Sequence, residues 1–182
     1  MNEIELEFFK SLDIYFQENK QQENLERIIR SIKSVGVELF ERNCLPYHFT
    51  ASAWIVDKER KHTLLIFHRK LQMWIQSGGH ADGETNLFNV AFKEALEETG
   101  LNSLRLQGEE IFDFDITPIP AFKDSPAHSH LDARYVIEAD INEPIVESEE
   151  TAGAKWFSIQ NISNEISDEG ILRMAQKTLL QQ

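Results

Sequence analysis

One segment constrains this chain more than any other. Trp74-Ile75-Gln76 reads as a short strand stopped by Ser77-Gly78-Gly79, and from Asn86 to Thr99 the apolar residues switch to helical spacing, with Gly100 at the usual C-terminal position of a helix. Between the two lies the loop Gly78-Gly79-His80-Ala81-Asp82-Gly83-Glu84-Thr85. The helix carries an apolar face of Leu87, Phe88, Ala91 and Ala95 and therefore needs a surface to pack on. At its border Glu94, Glu97 and Glu98 fall within about 100° of helix circumference, so three carboxylates share one patch. They repel one another unless a cation sits among them. Hard oxygen donors at this density suit Mg²⁺ or Mn²⁺, which keep several waters and accept phosphate oxygens in their remaining positions. For a glutamate-rich helix considered alone, a solvated acidic face is the competing reading.

The surface for that helix is read from the periods around it. Ile4, Phe8, Leu12, Tyr15 and Phe16 recur at helical spacing, and so do Leu25, Ile28, Ile29, Ile32, Val35, Leu39 and Phe40, giving two amphipathic helices, the second ended by Leu45-Pro46. Thr50 to Val56 and Thr63 to His68 are rich in β-branched and aromatic residues and flank the charged turn Asp57-Lys58-Glu59-Arg60-Lys61, a hairpin signal. Further strands are expected at Glu110 to Ile116, Ala133 to Ala139 and Ala154 to Ile159, with a proline-punctuated loop from Pro118 to Pro126. A last helix, about Ser167 to Leu180, has Asp168 and Glu169 in its first turn and Arg173 and Lys177 later, an order that suits the helix dipole. The element order predicts an α+β fold in which helices cover a mixed sheet.

Composition narrows the function. The 182 residues fit one domain with a short appendage, and 41% hydrophobic with 27% charged residues is ordinary globular usage. Eighteen Lys and Arg against 31 Asp and Glu leave a net charge of −13, which repels a nucleic-acid backbone but not a small phosphorylated molecule bridged by a divalent cation. The lone cysteine, Cys44, cannot pair within the chain, and the acidic opening MNEIELEFFK is unlike a secretory signal, so a cytoplasmic protein is expected. No apolar run is long enough for a membrane span.

From Gly79 to Leu101 the spacing resembles the signature of the Nudix hydrolase superfamily: glycine, five residues, glutamate, seven residues, then Arg-Glu-aliphatic-any-Glu-Glu-any-Gly-aliphatic. Gly79, Glu94, Glu97, Glu98, Gly100 and Leu101 match in register, while Thr85 stands at the first glutamate and Lys93 at the arginine. In the family those two positions resemble a salt bridge that steadies the loop, which a Thr–Lys pair cannot reproduce, although Glu84 is next door. The resemblance extends from about Phe49 to the C-terminus, including the strand Ala154-Lys155-Trp156-Phe157. It implies a Nudix-type mixed sheet sandwiched between helices over residues 47–182, with residues 1–46 as a helical extension packed on the core. It also implies hydrolysis of a diphosphate linkage in a nucleoside diphosphate-X type substrate. By position, Glu94 and Glu98 would be the principal ligands of Mg²⁺ or Mn²⁺, Glu97 a further one, and the Gly79 carbonyl would complete the site. A glutamate among the three, or a residue outside them, would serve as base. A Nudix-fold isomerase of allylic diphosphates would need a catalytic cysteine, and Cys44 lies outside the resembling region. A non-catalytic nucleotide sensor would not need three repelling carboxylates.

A second constellation follows. His128, His130, Asp132 and Arg134 alternate with Ala127, Ser129, Leu131 and Ala133, which places the four polar side chains on one face of an extended segment. With His80 they suggest a substrate-binding strip, Arg134 donating to phosphate, the imidazoles acting as donors or as ligands of an extra cation, and His130 shaping the pH profile near the ordinary imidazole pKa. Zn²⁺ is the weaker expectation, because no thiol or third histidine at standard spacing accompanies His128 and His130. A wet strand face is the bland one. Phe112, Phe114, Trp156 and Phe157 are expected in the core, Asp113 and Asp115 on the polar side of their strand, Lys123 in solvent and Cys44 as inert packing. The expected partner is a small phosphorylated molecule, and a homodimer is compatible with the same reading.

Overall fold

The computed structural model describes residues 3–20, 23–122, 125–146 and 151–181. Helices α1 (Glu3–Glu18) and α2 (Glu23–Ile32) lead through tight 3₁₀ turns (Lys33–Phe40) into β1 (Tyr47–Asp57), β2 (His62–His68), β3 (Met73–Ile75) and β4 (Ser77–His80). Helix α3 (Leu87–Thr99), strands β5 (Arg105–Leu106), β6 (Asp113–Ile119), β7 (His128–Ala139) and β8 (Thr151–Ser158), a 3₁₀ segment (Ile159–Asn164) and α4 (Glu169–Leu180) complete the chain. The sheet is mixed, as expected. Strand β1 runs parallel to β7 along its whole length, and its other edge carries β4 and then β2, both antiparallel. Strands β5 and β6 line the far edge of β7.

Alternation along β1 sorts the core into two layers. Phe49, Ala51, Ala53 and Ile55 face α1 and α3, where Phe8, Phe9, Leu12, Phe40, Leu87, Phe88, Ala91 and Ala95 meet them. Trp54 and Val56 point the other way, onto Phe157, Ile171 and Met174 of β8 and α4. Helix α3 starts where its cap allows, with the Asn86 side chain accepting from Asn89 N, and ends at Gly100, whose φ of 66° is the left-handed value glycine adopts without penalty. Asp168 caps α4 in the same way.

Beyond the short added strand β5 and the earlier start of β7 at His128, three elements depart from the sequence expectation. The second helix ends at Ile32, because Gly36 adopts φ 73°, ψ −135°, outside the helical region; the tight turns there still bury Leu39 and Phe40. Ser77-Gly78-Gly79 does not stop a strand but forms β4 against β1. A Cβ on Gly78 would come within 2.6 Å of the Ala51 carbonyl, so glycine is what lets the two strands approach. Strand β6 begins at Asp113 and runs through Pro118, which an edge strand tolerates.

Candidate active site

Strand β4 and helix α3 bring the glycines and two glutamates together. A Cβ on Gly79 would lie 2.5 Å from the Glu94 carboxyl carbon, so the missing side chain is the space that Glu94 occupies. Glu98 is buried; its Oε2 accepts from Ser77 Oγ at 2.6 Å and from Gly78 N at 3.1 Å. Glu97 is exposed at the patch border, 3.7 Å from Lys93 one turn earlier. That pairing is a surface contact of little energetic weight.

Lys93 thus pairs along its own helix, and Glu84 accepts from Asn86 N at 2.8 Å, at the helix entrance. The loop is held instead by a two-pronged Arg42–Asp82 ion pair and by Gly83 N donating to Phe40 O at 2.9 Å. Arg42 belongs to the segment before the sheet, and nothing in its local sequence marks it as a loop clamp.

The polar strip divides in two. His128 and His130 gather with His80 and with His48 of β1, ring centroids lying 4.8–5.2 Å apart. Burial pulls the His80 imidazole down to about 4 and His130 to about 3, so both are neutral near pH 7 and the expected titration of His130 near the ordinary imidazole value does not hold. His48 was not among the sequence candidates, yet it alternates with Phe49, Ala51 and Ala53 in the way that marked the His128 strip.

Arg134 occupies the other half of the strip. Its guanidinium is 6% exposed and is engaged by carboxylates, Nε 2.8 Å from Asp132 and Nη1 3.1 Å from Asp113 and 3.4 Å from Asp115. Its charge is met by carboxylates within the protein, and its side chain is turned away from solvent. Asp113 is equally buried and also takes Arg173 at 2.6 Å and Lys177 at 2.7 Å, both from α4. Burial alone would raise its pKa, but the Arg173 hydrogen bond and the charges of Arg134 and Lys177 hold the carboxyl below its ordinary range. Asp132 accepts from Thr50, Ser52 and Gln76 as well.

Phe114 and Phe157 are core, as expected, and Lys123 lies outside the described residues. Cys44 is half-buried, with a thiol that burial pushes up in pKa, the opposite of an activated nucleophile. A groove of about 480 Å³, lined by Glu18, Arg60, Gln107, Ile111 and Lys177 among others, includes none of the candidate glutamates or histidines. No helix among the described residues is long and apolar enough to cross a membrane.

With this geometry in place, the NUDIX domain model matches residues 46–176. The chain belongs to the NUDIX domain family. A "Probable DHNTP pyrophosphohydrolase" of Lactococcus lactis subsp. cremoris is 29% identical over 126 residues, covering 68% of this chain and 74% of that protein. Among solved structures, a NUDIX-family hydrolase from Clostridium perfringens shares 26% identity at a TM-score of 0.54, over 74% of this chain and 98% of that one. The E. coli dihydroneopterin triphosphate pyrophosphohydrolase superposes at 0.55 over 72% and 95%, but at 12% identity it speaks for the Nudix fold alone. The expected class of enzyme, a Nudix-type pyrophosphohydrolase, stands with the family.

Proposed function

We propose that this Nudix chain hydrolyses a diphosphate linkage in a small phosphorylated substrate of the nucleoside diphosphate-X type, with a divalent cation held by Glu94, Glu98 and the Gly79 carbonyl and Glu97 at the border. The observation that carries the reading is the fit of Gly79 to Glu94. Any side chain at 79 would enter the space of the Glu94 carboxyl, so this one strand position is kept open beside a carboxylate. The donor set is all oxygen, which suits Mg²⁺ and accommodates Mn²⁺. When bound, such an ion offsets the charge of the diphosphate and lowers the pKa of a water beside it.

The protein's own groups prepare that site. Ser77 and Gly78 N–H fix Glu98 in one orientation, so its carboxylate is preorganised and not free to swing. The Asn86 cap and Gly100 termination set the register of α3 that presents Glu94 and Glu98 toward β4. His80 and His130, neutral near pH 7, offer hydrogen bonds beside the glycine strand without repelling a cation. The test is a turnover screen with Mg²⁺ or Mn²⁺ over dinucleotide polyphosphates, nucleotide sugars, ADP-ribose, nucleoside triphosphates and dihydroneopterin triphosphate. The last is included because of the name borne by the Lactococcus relative. Metal-dependent release of a phosphorylated product from one class supports the reading, and inertness toward all of them refutes it.

A further inference from the structure

We propose a second metal site, separate from the glutamate patch, in which His48, His128 and His130 bind a Zn²⁺-class transition-metal ion. The third histidine that the local sequence of His128 and His130 does not supply comes from 80 residues away: parallel pairing of β1 with β7 sets His48 directly beside His130. One ring nitrogen from each of the three lies within 4.8 Å of the others.

The hydrogen bonds around the trio orient it. Nδ1 of His128 lies 2.8 Å from the Pro126 carbonyl and Nδ1 of His48 lies 3.2 Å from the Cys44 carbonyl. A carbonyl only accepts, so both protons reside on Nδ1 and both Nε2 atoms carry lone pairs. This backbone-anchored tautomer is the outer-shell arrangement of metal-ligating histidines. Among the described residues, His48 Nε2 is buried with no hydrogen-bond partner, a lone pair left unmet inside the protein. His128 Nε2 and His130 Nε2 stand 3.3 Å apart in a hydrogen bond that His130 Nε2–H donates to the His128 lone pair, a proton that a metal ion would replace. Two nitrogens bound tetrahedrally to one Zn²⁺ at about 2.0–2.1 Å are separated by about 3.3–3.4 Å, so these two already hold the spacing an ion requires. Imidazole donors select Zn²⁺, Co²⁺ or Ni²⁺ over Mg²⁺, the reverse of the glutamate patch. The strand pleat separates the two sites, since Gly79 faces Glu94 while the next residue, His80, has its ring 4.8 Å from that of His130. His80 thus lies on the histidine side of the strand, its ring also 5.2 Å from that of His48.

The experiment uses the full chain, stripped with chelator and dialysed against Zn²⁺ or Co²⁺ in a large excess of Mg²⁺. Elemental analysis should find one Zn²⁺ per chain, Co²⁺ should give the intense visible absorption of a four-coordinate ion, and Zn²⁺ should raise the melting temperature. His130→Gln, and His128→Gln at a partly exposed position that does not threaten the fold, should each weaken binding by on the order of 10²-fold or more, at least the upper range for losing an outer-shell partner. Glu94→Gln with Glu98→Gln should leave the Co²⁺ spectrum unchanged. Absence of retained metal in the wild type, equal retention in both histidine variants, or loss of the Co²⁺ signal in the glutamate double variant would each overturn the proposal.

Discussion

Arg134 separates a substrate contact from a structural cation, and the two roles predict different losses. Its guanidinium spans Asp132 at 2.8 Å, Asp113 at 3.1 Å and Asp115 at 3.4 Å, and α4 passes so close that a Cβ on Gly170 would come 2.5 Å from Nη1. In Arg134→Met the stem volume is kept and the charge removed. Asp113 would retain Arg173 and Lys177, but Asp132, 5% exposed, would retain only Thr50, Ser52 and Gln76 among the described residues, and no cation. Breaking a buried pair from one side costs roughly 3–5 kcal/mol, a large share of the about 5–15 kcal/mol that holds a domain together. At about 2–4 °C per kcal/mol for a chain of this size, the melting temperature should fall by roughly 6–20 °C. Adding Asp132→Asn should recover part of the loss, with a coupling of about 0.5–3 kcal/mol in the double-mutant cycle. Thermal and urea melts check the stability, and KM on the folded fraction checks the alternative. An unchanged melt together with a tenfold higher KM would refute the structural role.

Three further outcomes follow from the same geometry. Gly79→Ala should displace Glu94 and lower kcat by on the order of 10²-fold while the melt barely moves, because the clash is with a side-chain end; unchanged kcat would remove Glu94 from the site. His80 and His130 are held below their unfolded pKa, so the folded state resists their protonation. In the metal-free protein the stability they contribute is complete above about pH 6.5 and is lost as pH falls toward their folded values of about 4 and 3; His130→Gln should flatten that limb of a urea-midpoint profile recorded with chelator present, and an identical slope would contradict the burial. Introducing Thr85→Glu with Lys93→Arg should show favourable coupling of about 1 kcal/mol, since the new guanidinium would gain a loop carboxylate in place of the weak contact with Glu97; strictly additive melts would mean the two positions do not face each other.

What the sequence made legible was local. Asn86 and Gly100 bracket α3 as caps, Asp168 starts α4, and the charged turn at 57–61 joins β1 to β2, because each signal is written within a few residues of the element it sets. Gly78-Gly79 was misleading. Glycine pairs usually end strands, and only the approach of Ser52 and Ala51 shows why this pair belongs within one. The polar alternation through His128, Asp132 and Arg134 marks one strand face, but alternation does not say whether the face is wet. Helix α4 supplies Arg173 and Lys177 to Asp113 across 60 and 64 residues, turning the lower half into a buried ion network. The upper half gains His48 through strand register alone.

The central claim is that Glu98, fixed by Ser77 and Gly78, works with a divalent cation in diphosphate hydrolysis. The most direct test is a Mg²⁺ titration of turnover for the wild type and Glu98→Gln on the substrate that the screen returns, with both proteins first stripped by chelator. The amide oxygen of the variant can still accept from Ser77 and Gly78, so the fold should survive. Turnover should be absent without metal, recover saturably in the wild type, and run at least ~10²-fold slower in the variant at every Mg²⁺ concentration. Full activity after chelation, or a variant that tracks the wild type across the titration, would contradict the claim.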